Sequence, residues 1–266
     1  MSISNNYSRF ISILLLILFV SNELCLCVPS KLLNATLNDE GFSPAVATWY
    51  GSPTGSGSGG ACGLENDVND APYYGMISAG NGNLFRSGAG CGTCYMVKCT
   101  NNPVCSGSPI RVTITDECPG LCNNDHIHFD LSGKAFGYLA KPGHEDELRN
   151  AGRIDVQYTS VECYYDFKIA VKIDSGSNPY YLAMAVEDVN GDGEIDRIDI
   201  TAQGWRSWAP MQRDWGETWK FQVPSGTIGP FSIRFTDRSS RSVVAYNLIP
   251  SYWAPGKKYY SNTNFP

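Results

Sequence analysis

Two aspartates end apolar, β-like stretches: Asp116 follows Val112-Thr113-Ile114-Thr115, and Asp130 follows His128-Phe129. Strands that end in carboxylates can bring both acids to one end of a barrel. Glycoside hydrolysis uses such a pair with separated pKa values, one acid staying protonated to serve as general acid. Two close carboxylates push one pKa up. Asp130 directly precedes a predicted helix, whose N-terminus favours the anion. The two effects oppose each other. Asp116 as a turn residue and Asp130 as a helix-entry residue is the plainer reading, and on residue types alone it is the stronger one.

Other residues frame the same region. Trp49 and Tyr50 lie beside the expected groove, where flat rings can stack on the C–H faces of sugars. His128 is expected to orient the groove carboxylates. Trp215, between Asp214 and Gly216, is expected to be exposed, and Trp219, in an alternating strand, to be core. His126 and His128 share a strand face, but a zinc site needs further ligands, so no metal is expected. The string from Asp188 through Asp192 to Asp199 fits a calcium loop, yet a strand precedes it, and Asn-Gly followed by Asp-Gly favours a β-hairpin turn. Gly55, Gly57 and Gly60 mimic a dinucleotide loop without the strand and helix that one requires.

Short strands must position these residues. The first half suggests strands at 46–50, 75–80, 92–99, 110–116, 126–130 and 153–160. A helix is predicted from Leu131 to Ala140, with Ser132 placed to cap it. In the second half, Phe167 to Ile173, Tyr180 to Val186, Glu194 to Thr201, Thr218 to Val223, Phe231 to Phe235 and Val243 to Ile249 read as antiparallel β.

The chain has 266 residues, enough for two domains. A formal charge of −6 argues against nucleic acid and against an anionic membrane surface. Arg9 precedes an apolar run from Phe10 to Val20, too short to span a bilayer, which needs about 20 residues. Residues 1–27 read as a secretory signal cleaved near Cys27. Eight cysteines then remain, all between Cys62 and Cys163, and an even count in a secreted chain implies disulfides. Asn34-Ala35-Thr36 is a glycosylation sequon.

Several motifs occur in order: Thr48-Trp49-Tyr50-Gly51, Gly59-Gly60-Ala61-Cys62-Gly63, Gly90-Cys91-Gly92-Thr93-Cys94, Thr115-Asp116-Glu117-Cys118-Pro119 and His128-Phe129-Asp130-Leu131. The set resembles the expansins. Gly176-Ser177-Asn178-Pro179 with Tyr181, Trp215-Gly216, the Cys99–Cys105 spacing and Gly229-Pro230-Phe231-Ser232 look like the β-expansin branch. The resemblance implies a mainly β protein, with a six-stranded double-psi β-barrel over 46–163 and an immunoglobulin-like β-sandwich over 168–266. Residues 28–45 would be an irregular lead-in and 164–167 a linker. It implies the disulfides Cys62–Cys91, Cys94–Cys163 and Cys99–Cys105, which leaves Cys118 with Cys122.

Expansin barrels are similar to an endoglucanase family whose acid matches Asp130. That family's base follows a Thr-x-Tyr-Trp segment, and here no carboxylate occurs from Thr48 until Glu65. Loss of a general base costs about 10²–10⁴-fold in rate. The expectation is therefore a non-enzymatic, secreted, monomeric cell-wall protein without cofactor. Its groove would use Thr48, Tyr50, Asp116, His128 and Asp130. Its polysaccharide contacts, to cellulose, xylan or a related glucan, would come from Trp49, Tyr50, Asn178, Tyr181 and Trp215. The alternatives are a glycoside hydrolase with Asp130 as acid and a passive carbohydrate-binding protein.

Overall fold

A computed structural model describes residues 41–57 and 59–266. The predicted signal, Asn34 and most of the lead-in lie outside the described residues. Strand β1 (Ser43–Tyr50) begins earlier than expected, taking in Ser43 to Ala45 from the stretch read as irregular. These residues pair with Tyr158, Gln157 and Val156 of β6 (Ile154–Val161), which places them inside the sheet.

β1 and β6 belong to a closed six-stranded barrel with β2 (Ile77–Gly80), β3 (Cys94–Lys98), β4 (Ile110–Glu117) and β5 (His128–Ser132), in the order β1-β5-β2-β4-β3-β6. This is the double-psi β-barrel expected. β1 runs parallel to β5 and β2 to β4. Parallel neighbours cannot be joined by a tight turn, so long connections cross between them and carry the short helices. Ala47, Val97, Val112, Ile114, Phe129 and Leu131 fill the barrel core. The predicted helix is shorter than expected. α2 (Gly133–Gly137) follows α1 (Gly82–Phe85), and Leu131 and Ser132 belong to β5. Ser132 does cap it, its Oγ accepting from the Ala135 N–H at 3.0 Å. A third helix, α3 (Glu145–Ala151), was not anticipated.

The sulfurs join as Cys62–Cys91, Cys94–Cys163, Cys99–Cys105 and Cys118–Cys122, the four pairs named above. None reaches the second half, which rests on apolar packing between two sheets. One sheet has the order β10-β9-β13-β14, from β9 (Ile195–Ala202), β10 (Ala209–Pro210), β13 (Phe231–Asp237) and β14 (Ser242–Ile249). The other has the order β11-β12-β8-β7-β15, from β7 (Ala170–Ile173), β8 (Tyr181–Glu187), β11 (Gln212–Trp215), β12 (Thr218–Gln222) and β15 (Lys258–Tyr260). Val171, Met184, Ile198, Trp219, Ile233 and Phe235 interdigitate between them.

The expected hairpin around Asn190-Gly191-Asp192-Gly193 is corrected. β8 and β9 lie in different sheets, so this segment is a crossover from one sheet to the other. Its polar side chains are used structurally. Asn190 Oδ1 accepts from the Tyr165 N–H at 2.7 Å, and Asp192 holds Arg241 at 3.1 Å.

The same crossover docks on the barrel. Cys163 and Gly191 exchange backbone hydrogen bonds of 2.7 and 2.9 Å, and the backbones of Gly92 and Gly193 abut. Arg86 pairs with Glu194 at 2.5 Å. Lys172 reaches Glu65 at 2.7 Å and Asp67 at 2.9 Å. Within the connecting stretch, Tyr165 is buried and its hydroxyl lies 2.7 Å from that of Thr113.

Candidate functional site

Strand pairing assembles the barrel residues. Thr48 of β1 pairs with Asp130 of β5, Asp130 with Ala79 of β2, and Ala79 with Asp116 of β4. Paired residues share a sheet face, so Thr48, Asp130 and Asp116 form one row with the small Ala79 between the acids. Two strand spacings put the two aspartate backbones about 9.5 Å apart.

Asp130 is a strand residue, not a helix-entry residue, since two further strand residues, Leu131 and Ser132, separate it from the start of α2. Thr48 Oγ1 donates to Asp130 Oδ1 at 2.5 Å and lies 2.8 Å from His128 Nε2. Burial raises the Asp130 carboxyl above the usual carboxylate range. The Thr48 hydrogen bond and the charge of His128 pull it back, and nearby Asp116 adds to the rise. Burial therefore decides the contest that the sequence left open.

His128 is 3% exposed, and its Nδ1 lies 2.7 Å from Asp125 Oδ2. Arg153 clamps Asp125 with two hydrogen bonds of 2.8 Å. Those bonds, with that from His128, hold the Asp125 carboxyl well below the usual range. Neither Asp125 nor Arg153 was among the expected site residues. Asp125 stands three residues before His128, which is a weak local signal. Arg153 has no signal in the sequence.

Asp116 is tied down. Its Oδ1 accepts from the backbone N–H of Ala61 at 2.7 Å and of Glu117 at 2.8 Å. A Cβ on Gly60 would fall about on the Asp116 carboxylate, at 2.0–2.1 Å, so only glycine fits there. Three residues on, a Cβ at Gly63, where φ is +80°, would press on Thr218 Oγ1 at 2.8 Å and on the Trp215 ring at 3.1 Å. The turn 60–63 thus touches the barrel's acid row at one end and the sandwich's tryptophan at the other. A cleft lined by Gly63, Glu65, Lys172, Trp215, Thr218 and Gly256 runs along this junction.

On the sandwich, Trp215 pairs with Thr218, and Tyr181 pairs with Gln222. Both rings lie on the outer face of their sheet, above a floor that includes Ala183 and Ala185, while Trp219 and Met184 point inward. Trp215 is 48% exposed and Trp219 only 4%. Asn178 is exposed at the turn leading into β8. Its Oδ1 accepts from the Tyr180 N–H at 3.0 Å, which leaves the amide nitrogen to address a ligand.

Tyr50 packs its ring against Gly57 in the glycine-rich loop. Trp49 is half-buried. Strand alternation points it away from the Thr48 face, where its ring packs near Phe136 at 6.5 Å and its Nε1–H donates to the Arg149 carbonyl at 3.0 Å. Among the described residues no cluster of metal-ligating side chains occurs, and no helix is long and apolar enough to cross a membrane.

Comparison with known proteins gives the family. A model described as the expansin C-terminal domain matches residues 169–250, and one described as lytic transglycolase matches 77–158. Expansin-B4 of Arabidopsis thaliana is 48% identical over 95% of this chain and 96% of its own length. Expansin-B1 of Zea mays is 45% identical, with 87% of each chain covered. The crystal structure of a mutant Clavibacter michiganensis expansin in complex with cellohexaose superposes with a TM-score of 0.65 at 25% identity, covering 85% of this chain and 98% of that one.

Proposed function

The chain belongs to the expansin family, on its β-expansin branch, and from that premise we propose that it loosens plant cell walls without cutting them. One observation carries the proposal. The turn 60–63 joins the acid row of the barrel to the aromatic face of the sandwich, so a polysaccharide chain has one continuous track. A glucan or xylan chain lies along it, with Asp130 at one end and Trp215 and Tyr181 at the other. Holding a chain in a conformation that its neighbours in the wall cannot accommodate shifts the equilibrium toward separation, and no bond need break. The bacterial relative solved with cellohexaose supports a glucan as the ligand class.

Hydrolysis lacks a base in this site. Oδ1 of Asp116 is committed to two backbone N–H groups. Glu65, the first carboxylate after Tyr50, is paired with Lys172 on the sandwich. The protein acts after secretion, in the wall.

Trp215→Ala tests the track. The ring is half exposed and closes no core, so the variant is expected to keep its thermal midpoint and far-ultraviolet circular dichroism. Its affinity for insoluble cellulose should fall by about 1–3 kcal/mol, the range for an aromatic ring stacked on a flat ligand. Depletion binding measures this, with reducing ends counted in parallel on the parent. A folded variant with undiminished binding removes Trp215 from the track, and release of reducing ends by the parent makes the protein a glycosidase.

A further inference from the structure

The chain Arg153, Asp125, His128, Thr48, Asp130 is continuous, with links of 2.8, 2.7, 2.8 and 2.5 Å. Counting its hydrogens shows what it can do. Thr48 has one hydroxyl hydrogen and two neighbours. When Asp130 is ionised, that hydrogen points to Oδ1, so His128 Nε2 must bring its own. Nδ1 faces a carboxylate that Arg153 keeps ionised, so it too carries a hydrogen, and His128 is an imidazolium. When Asp130 is a neutral acid, its O–H donates to Thr48 Oγ1. The Thr48 hydroxyl then donates to Nε2, which is now an acceptor, and His128 is neutral with Nδ1–H retained. The two states hold the same number of protons. Two hydrogens each move across one hydrogen bond, and charge passes from the pair His128 and Asp130 to neither.

We propose that Asp125 and Arg153 are positioning residues that decide whether His128 or Asp130 holds the proton shared through Thr48. Asp125 favours the imidazolium and so keeps Asp130 ionised. Arg153 weakens that pull by neutralising Asp125. Besides these, the charged groups facing the chain are Asp116, which lies across Ala79 from Asp130, and Asp155, whose charge acts on Arg153. The inference rests on the reading of Asp130 as the group that meets the sugar, but it concerns where a proton sits and can be measured without any wall.

The measurement is a nuclear magnetic resonance titration of the folded full chain. The Asp130 carboxyl carbon and the ring nitrogens of His128 are followed, with His126 and His144 as internal references. In Asp125→Asn the His128 midpoint should fall and the Asp130 midpoint should rise, by about half a pH unit or more. Loss of a nearby negative charge would by itself lower Asp130, so the direction is diagnostic. In Arg153→Gln the His128 midpoint should rise and that of Asp130 should fall, whereas loss of a positive charge alone would raise Asp130. Arg153 is largely exposed at its side chain, so this variant serves if Asp125→Asn does not fold. An Asp130 midpoint that stays fixed, or that follows the direct charge effect, overturns the proposal in either variant. If the relay holds while wall loosening does not depend on Asp130, the functional reading fails and the proton assignment stands.

Discussion

Asp130→Asn is expected to abolish wall loosening, leaving under about a tenth of the parent's creep, the loss expected when a hydrogen bond worth about 1.5 kcal/mol is replaced by a weaker amide contact. Neither protein should release reducing ends. The neutral acid form carries an O–H that can turn from Thr48 Oγ1 to a sugar oxygen, and the carboxylate carries none. Burial holds the Asp130 carboxyl above the usual carboxylate range, so the donor form persists to higher pH than in an exposed aspartate. Parent creep should rise as pH falls through that pKa, by up to about tenfold per unit above it. Asparagine keeps the shape and a donor but does not titrate, so residual creep should be flat with pH. Extension of heat-killed walls under constant load, at several pH values, gives both curves. A variant with full, pH-dependent creep would return Asp130 to a structural role. Sugar release by the parent that the variant loses would instead identify a hydrolase.

The second large effect is on stability. Glu187 ends β8 at the junction with the barrel and is 2% exposed. Lys258 holds its Oε2 at 2.7 Å, while Oε1 has no hydrogen-bond partner among the described residues. Loss of hydration outweighs that bridge and pushes the carboxyl from its usual 4.5 up to about 7. Its neighbour Asp188 is pushed up to about 6 by burial, and fully buried Glu217 up to about 8. Groups with raised pKa values bind more protons folded than unfolded. Their stabilisation is complete below pH 4.5 for Glu187 and Glu217 and below the ordinary aspartate value for Asp188, and it is lost as pH climbs toward the folded values. Glu187 alone accounts for up to about 3 kcal/mol between pH 4.5 and 7. Asp67 works the other way, its carboxyl held low by Lys172 and Lys258 against burial, so its contribution is lost only in stronger acid. Urea unfolding should therefore give a higher midpoint near pH 5 than near pH 7.5. Glu187→Gln should flatten much of that slope, and equal midpoints in the parent would show that these acids stay solvated.

The two predictions differ in how far the sequence foretells them. Asp116 and Asp130 announce themselves by following apolar, β-like stretches. The alternation that buries Trp219 under Arg213 is plain in its neighbours. The same alternation sends Thr48 and Trp49 to opposite faces. Helix α3 carried its own signal, with Glu145, Asp146 and Glu147 in the first turn and Arg149 in the last. Asn190-Gly191 and Asp192-Gly193 misled because turn residues specify a reversal and not the sheet that the next strand joins. Arg153 lies 28 residues beyond Asp125, and only barrel closure brings them together. Glu187 reads as an ordinary strand residue, because its burial comes from another domain.

The junction between barrel and sandwich combines backbone contacts, at Gly92 with Gly193 and at Cys163 with Gly191, with the ion pairs of Arg86 and Lys172, and it fixes the spacing between Asp130 and Trp215. On the track proposed above, a short oligosaccharide would occupy one end or the other, but not both. Once a chain is long enough to reach, the second contact becomes intramolecular, at an effective concentration set by sugar stiffness and not by a protein linker. Affinity should then climb in a step with chain length, so the molecule measures its ligand and passes over wall fragments too small to bridge.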